Sequence, residues 1–256
     1  MHCSHQLIKF DITLKDQHMK FSISLLFVSN LLISLASEKP DHYLWDRYLG
    51  KYVSESGTVN YKSMKIEMDT LDAYLIQVRE KSHQSYWTED EKMAYYINAY
   101  NAYTIKFILS KYPVESVKDI SFSGKDMWTF KMANIGGTNY TLNQLENDFL
   151  RKMGDPRIHF AINCGAVSCP KLSNKAYVAD KLNTQLSQAT KTFLSDVTKN
   201  KITEKKIQIS ELFNWYAADF TLNGKTLIDF LNKYAGVTIL ETAKIEYLPY
   251  DWSLND

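Results

Sequence analysis

The chain has 256 residues, of which 45% are hydrophobic and 23% charged, and these values are typical of a globular protein with one substantial core. Its 30 basic and 29 acidic residues are mixed along the sequence and give a formal net charge of +1. The charge pattern therefore favours neither nucleic acid nor an anionic membrane as a partner, and any partner has to be argued from a local site.

The N-terminal sequence is typical of an exported protein. A basic residue and an uncharged apolar stretch follow Met19, which predicts a signal peptide over residues 19–36 with cleavage after Ala36. The polar residues 1–18 are interpreted as a mis-assigned extension. The domain over residues 37–256 is then expected to be secreted or periplasmic, without stable membrane insertion once the signal is removed. Export also implies an oxidising compartment, which favours disulfides.

Apolar residues at helical spacing dominate the first half of this domain. They predict helices over residues 43–53, about 63–80 and about 89–111, the last beginning with a capping-box spacing at Thr88 and Glu91.

Two asparagines, Asn98 and Asn101, lie one turn apart beside the inward face of the third helix. A buried amide without partners costs about 1–3 kcal/mol, so we expect both to bind either the backbone of a neighbouring loop or a ligand.

Residues 128–133 alternate in polarity and lead into Gly136-Gly137, which predicts a β-hairpin. A helix is predicted from the cap at Thr141 to near Gly154, followed by a strand over residues 157–163 in which His159 faces away from the apolar side chains.

The remaining elements are a helix over about 179–195, a short strand over 206–209, a helix over about 225–235 and a strand over 244–250. No repeat or linker interrupts them. The prediction is one α+β domain, rich in helix and packed on a small, mainly antiparallel sheet.

The segment HFAINCGAVSCP, residues 159–170, is the strongest candidate for chemistry. In one interpretation Cys164 is a nucleophile and His159 its general base, while Gly165 lets a substrate backbone approach and nearby N–H groups face an oxyanion. The residues considered for orienting the imidazole are Glu146, Asn98 and Asn101.

Two other interpretations of this segment remain open. Cys164 and Cys169 could form a disulfide, which would stabilise the domain by roughly 2 kcal/mol without catalysis. Alternatively, His159 and the two cysteines could bind zinc, although the sequence supplies no obvious fourth ligand and no paired metal-binding spacing.

Several segments together resemble the family known as domain of unknown function 547. They are WDRYLGKYVSESGTVNY, EKMAYYINAYNAYTI, TLNQLENDFLR, DPRIHFAINCGAVSCPKL, LFNWYAADF and LPYDWSLN. The resemblance extends from about Tyr43 to Asn255. Many bacterial members resemble WINLYNAL where this chain has YYINAYNAY, which we interpret as a change in packing.

The family's His and Cys pattern is similar to that of cysteine hydrolases loosely related to papain and transglutaminase enzymes. The matching positions in this chain are Asn98, Glu146, Arg151, His159, Cys164 and Cys169. In some plant members a serine replaces the second cysteine, which implies that Cys164 is the better nucleophile.

The leading hypothesis is therefore an exported cysteine-dependent hydrolase or acyl transferase that acts on a peptide-like amide or ester, without a metal or other cofactor. Its catalytic residues would be Cys164, His159 and either Glu146 or Asn98. Asn101, Arg151, Gly165 and Cys169 would bind substrate or support the site. The alternative is a non-catalytic binding or scaffold domain of the cell envelope, held by a Cys164–Cys169 disulfide.

Overall fold

The computed structural model describes residues 41–256. The predicted signal peptide and the extension before it lie outside the described residues. Within the described part of the chain, no helix is long and apolar enough to cross a membrane.

Four helices form the first half of the described chain: α1 (Tyr43–Tyr52), α2 (Tyr61–Ile66), α3 (Met68–Glu80) and α4 (Glu89–Lys111). The bounds of α4 confirm the sequence prediction, and the reciprocal Thr88–Glu91 capping box is present. The acidic residues of its first turn also complement the helix dipole. The predicted helix over 63–80 is instead two helices that meet at Glu67.

Two short hairpins follow α4: β1 (Ser121–Phe122) pairs with β2 (Lys125–Asp126), and β3 (Ala133–Ile135) pairs with β4 (Thr138–Tyr140). Gly136 and Gly137 both have positive φ and form the predicted turn. The pairing begins later than predicted because the Asp126 carboxylate accepts the N–H groups of the next turn and curls it.

After β4, a short helix α5 (Leu142–Gln144) continues as a π-helical turn (Leu145–Leu150) and a 3-10 turn (Arg151–Met153), and Gly154 ends it with positive φ. The predicted helix is thus confirmed, with a wider turn in its middle. Such π-helical turns occur frequently at functional sites.

The predicted strand over residues 157–163 is wrong, because the structure has a 3-10 helix at Pro156–Phe160. Pro156 begins it and the Asp155 side chain accepts the N–H of Arg157, which favours a helical turn. The alternating apolar residues serve two cores rather than one sheet face: Ile158 and Ile162 lie in one cluster, Phe160 in another.

The second half of the chain contains seven further elements. They are α6 (Leu182–Ser195), β5 (Lys201–Ile202), β6 (Lys206–Ser210), α7 (Leu212–Trp215), α8 (Ala217–Phe220), α9 (Leu227–Tyr234) and β7 (Lys244–Leu248). β6 lies between β5, to which it is antiparallel, and β7, to which it is parallel. The other described strand pairs are antiparallel, so the α+β prediction is confirmed.

Two clusters of buried side chains stabilise the fold. The first surrounds α4, and the second packs around Phe160 with residues of α6, β6, α8 and α9. The two meet at residues 158–162, directly before the cysteines. The segment singled out in the sequence is therefore at the junction of the clusters.

Candidate active site

A cavity of about 290 Å³ opens at this junction. Four of the residues predicted for the site line it together: Glu146, His159, Cys164 and Cys169. The other four predicted residues, Asn98, Asn101, Arg151 and Gly165, do not line it.

The imidazole of His159 is fixed by a carboxylate that the sequence analysis did not single out. His159 is 2% exposed, and its Nε2 is 2.7 Å from Oδ2 of Asp219 in α8. Neither Glu146 nor Asn98 hydrogen-bonds to the ring. Asp219 is 60 residues from His159 in sequence, so only its presence in the LFNWYAADF motif could have suggested it.

Arg151 holds Asp219 in turn. Its Nε donates to Oδ2 at 2.7 Å and its Nη2 donates to Oδ1 at 2.9 Å, a bidentate geometry that fixes the plane of the carboxylate. Burial by itself would raise the pKa of Asp219. The hydrogen bonds and charges of His159 and Arg151 outweigh it and hold this pKa well below its usual range.

Tyr216 covers the imidazole on one face. Its ring lies 4.0 Å from the His159 ring, centroid to centroid, in a stacked arrangement, and the Arg151 guanidinium is 5.2 Å from the Tyr216 centroid. Burial, followed by the negative charge of Glu146, raises the pKa of Tyr216 far above its usual range, so this hydroxyl stays protonated.

Glu146 is the one predicted orienting residue that reaches the cavity. It lies in the π-helical turn and is 6% exposed, yet its buried Oε1 has no hydrogen-bond partner. The backbone carbonyl of Glu146 accepts the N–H of Arg151, so one turn supplies both side chains. Such an unpartnered buried oxygen costs free energy unless a donor reaches it.

The two cysteines are joined by a disulfide. The N–H of Cys164 donates to the sulfur of Cys169, and the Cys164 sulfur is 3.4 Å from the Tyr250 hydroxyl. Within residues 41–256, no three His, Cys, Asp or Glu side chains are grouped so that they could hold a metal ion. His159, Cys164 and Cys169 are not grouped in this way in the disulfide-bonded structure.

Gly165 has a different role from the one expected of it. Its φ is +83°, and a Cβ at this position would lie 2.5 Å from Ile108 Cδ1 and 3.1 Å from Val117 Cγ1, which are core side chains. Its N–H donates to the Asn163 side chain. The missing Cβ thus permits core packing, not substrate approach, and neither this N–H nor that of Cys164 faces the cavity unpaired.

The helix asparagines bind backbone. Asn98 exchanges two hydrogen bonds with the backbone of Tyr177, whereas Asn101 accepts the N–H of Asn163 and donates to the carbonyl of Ala161. Asn98 does not line the cavity. Asn101 positions the chain that leads into Cys164.

A tail segment, residues 250–255, closes the site from the other side. Its backbone bonds to the cysteine loop, from Val167 to the Ser253 carbonyl at 2.8 Å and from Asn255 to the Gly165 carbonyl at 3.0 Å. Tyr250 and Trp252 of this tail line the cavity beside the cysteines.

Aromatic rings form most of the opposite wall. Trp215 stacks on Trp252 at 5.7 Å, Trp128 packs edge-on against Trp252 at 5.9 Å, and Tyr250 is 4.6 Å from Trp252. None of these rings was singled out from the sequence, although two lie in the LPYDWSLN motif.

Comparison with known families supplies one match. The family model described as "Protein of unknown function, DUF547" matches residues 84–194, a range that includes α4, Glu146, His159 and both cysteines. No curated protein and no solved structure matches the chain.

Proposed function

We propose, from the geometry of the cavity and the match of residues 84–194 to the DUF547 family model, that the protein is an exported cysteine-dependent hydrolase or acyl transferase acting on a peptide-like amide or ester. Cys164 is the nucleophile, His159 the general base and then acid, and Asp219 takes the orienting role that the sequence analysis gave to Glu146 or Asn98. The similarity to papain-like and transglutaminase-like enzymes is an analogy that supports the same chemistry.

The observation that carries this proposal is the Arg151–Asp219–His159 chain of hydrogen bonds, which ends in the cavity that holds Cys164. Because Asp219 engages Nε2, the proton on His159 is held there and Nδ1 is the nitrogen available to exchange a proton with a thiol or leaving group. The bidentate contact with Arg151 fixes the plane of the carboxylate and so orients the imidazole, which is what a general base requires.

The reaction requires the thiol form. A dithiol reductant cleaves the Cys164–Cys169 bond, and His159 accepts the Cys164 proton. The thiolate attacks the carbonyl carbon, forming a C–S bond, and the C–N or C–O bond breaks as His159 passes the proton to the leaving amine or alcohol. Water, or an acceptor amine in a transferase, then cleaves the thioester and restores the thiol. The disulfide is thus the resting form.

A second function, a non-catalytic envelope binding or scaffold domain, is favoured by the disulfide itself. In that case Cys164 remains bonded to Cys169, and the N–H groups of Cys164 and Gly165 remain engaged as they are in the structure.

The test compares the oxidised protein with protein pre-treated with a mild dithiol reductant. Reduced protein should be alkylated at Cys164 faster than a model thiol, and should hydrolyse activated acyl esters. Cys164→Ser should abolish both, whereas the matched variant Cys169→Ser should retain them without reductant. Slow alkylation of Cys164 together with full stability loss on reduction would reject catalysis and favour the scaffold.

Export is part of the proposal, and the charge-free stretch after Lys20 supports it. N-terminal sequencing of the protein recovered outside the cytoplasm should begin at Ser37. A protein that keeps residues 19–36 would contradict it.

A further inference from the structure

The walls of the cavity are aromatic and acidic. Six rings line it: Tyr100, Trp128, Trp215, Tyr216, Tyr250 and Trp252. Among the described residues that line it, Asp126 and Glu146 are carboxylates and none is a lysine or arginine. Apart from the His159 imidazole, these side chains offer a ligand rings and carboxylates, which favour a cation over an anion.

The two carboxylates differ in their surroundings, because Asp126 is exposed and Glu146 is buried. Asp126 Oδ1 already accepts the N–H groups of Trp128 and Thr129 and the Thr129 hydroxyl, so it is committed to its own turn. Glu146 Oε1 is buried and has no partner. The Tyr216 hydroxyl and the Arg151 guanidinium act on the Glu146 carboxylate, but none of the described side chains makes a hydrogen bond to Oε1, so a bound molecule with an N–H group could satisfy this oxygen.

The aromatic wall is suited to a cationic group that donates hydrogen bonds. Lys118 of the chain itself places its Nζ 4.5 Å from the centroid of Trp252, so one ring of the wall already accepts an ammonium from outside the cavity. An ammonium with N–H donors satisfies both the rings and the carboxylate. A quaternary ammonium would satisfy the rings only, because it has no hydrogen to donate to Oε1.

We propose that the cavity binds a primary ammonium group, with Glu146 as its counter-ion and the Trp and Tyr rings around it, so that the substrate is a peptide-like molecule carrying a primary amine. The proposal names the substrate class of the site described above, and as a statement about substrate it rests on the proposed function. Its binding step can be measured separately, because the oxidised protein has no thiolate and cannot turn over a probe.

Two amines could supply this group: the α-ammonium at a peptide's N-terminus, or the side-chain ammonium of a lysine-like residue. The probes are alanyl-alanine amide for the first, Nα-acetyl-lysine methylamide for the second, and Nα-acetyl-norleucine methylamide as a neutral reference. Binding to the oxidised full chain is followed by calorimetry and by the fluorescence of the tryptophans that line the cavity.

One or both ammonium probes should bind at least about tenfold more tightly than the neutral reference, a factor typical of one charge-assisted hydrogen bond. Glu146→Gln, which keeps the shape of the side chain, should remove that difference. Glu146→Asp should retain part of it, and Glu80→Gln, which removes the same charge from the exposed end of α3, should leave it unchanged.

Glu146→Gln should fold with an unchanged or higher melting temperature, since it replaces a buried carboxylate whose Oε1 has no hydrogen-bond partner among the described residues. Equal binding of the neutral and ammonium probes, or a preference that survives in folded Glu146→Gln, would overturn the proposal. If the ammonium preference is present but reduced protein shows no thiol-dependent turnover, only the catalytic proposal fails. If reduced protein shows thiol-dependent turnover but no ammonium preference, only the ammonium site is rejected.

Discussion

Replacing Asp219 by asparagine tests how much the hydrogen bonds among Arg151, Asp219 and His159 contribute to stability. The carboxylate accepts three hydrogen bonds, two from Arg151 and one from His159. An asparagine of the same shape has one oxygen and one NH₂ group, so its NH₂ would face a donor whichever way it turns. At least one charged or buried donor is then left without a partner.

The loss of stability in Asp219→Asn depends on how deeply the contacts are buried. Breaking a fully buried charged pair costs about 3–5 kcal/mol. The Arg151 side chain is 29% exposed and Asp219 16%, so solvent screens part of the loss, and we expect Asp219→Asn to lower the free energy of unfolding by about 2–3 kcal/mol at pH 7. Urea unfolding measures it as a lower midpoint with an unchanged slope.

The control is Asp148→Asn in the same irregular helix. Asp148 is 52% exposed and 3.8 Å from Lys152, so this change should alter stability by less than about 0.5 kcal/mol. The pH dependence of the stability gives a further test. Because folding lowers the pKa of Asp219, its stabilisation is present above the unfolded pKa near 4 and is lost as the pH falls. An Asp219→Asn protein as stable as wild type at pH 7 would refute the reasoning.

Two further predictions concern parts of the fold that lie outside this contact chain. Burial lowers the pKa of His42 to about 4, so the stability of the wild-type protein should fall by at most about 3 kcal/mol as the pH falls from 6.5 to 4. His42→Gln should lose this pH dependence in unfolding measurements. An unchanged pH dependence in the variant would argue against a neutral buried ring. Gly165→Ala should lower the stability measured by thermal unfolding by about 2–4 kcal/mol, because the new Cβ would meet Ile108. The control Gly137→Ala has the same φ of +83° but open space around it, and should lower stability by about 1 kcal/mol. Equal losses would show that only the backbone angle matters.

Features encoded within a few residues could be predicted from the sequence. The capping box of Thr88 and Glu91 depends on groups three positions apart, and it gave the start of α4 correctly. The turn at Gly136-Gly137 is equally local. The cysteine segment was recognised as the candidate site because its histidine, cysteines and glycine are close in sequence, and the cavity contains three of those four residues.

What the sequence could not supply depends on contacts between distant segments. Alternating apolar residues around His159 were interpreted as one face of a strand, but they divide between two cores that no local pattern distinguishes. Asp219 was missed for a related reason: an aspartate on a short helix resembles a solvent-exposed residue until the fold places it against an imidazole. Gly165 was assigned to the substrate because the side chains that fill its open space come from α4 and from residue Val117.

The tail at residues 250–255 has a consequence for the order in which the molecule matures. Its backbone pairs with residues 165–168, and its Tyr250 and Trp252 complete the wall beside the cysteines. While the ribosome still holds this tail, the cysteine loop lacks its hydrogen-bond partners and the cavity lacks the wall that Tyr250 and Trp252 form. The site is therefore assembled only after synthesis of nearly all of the described chain.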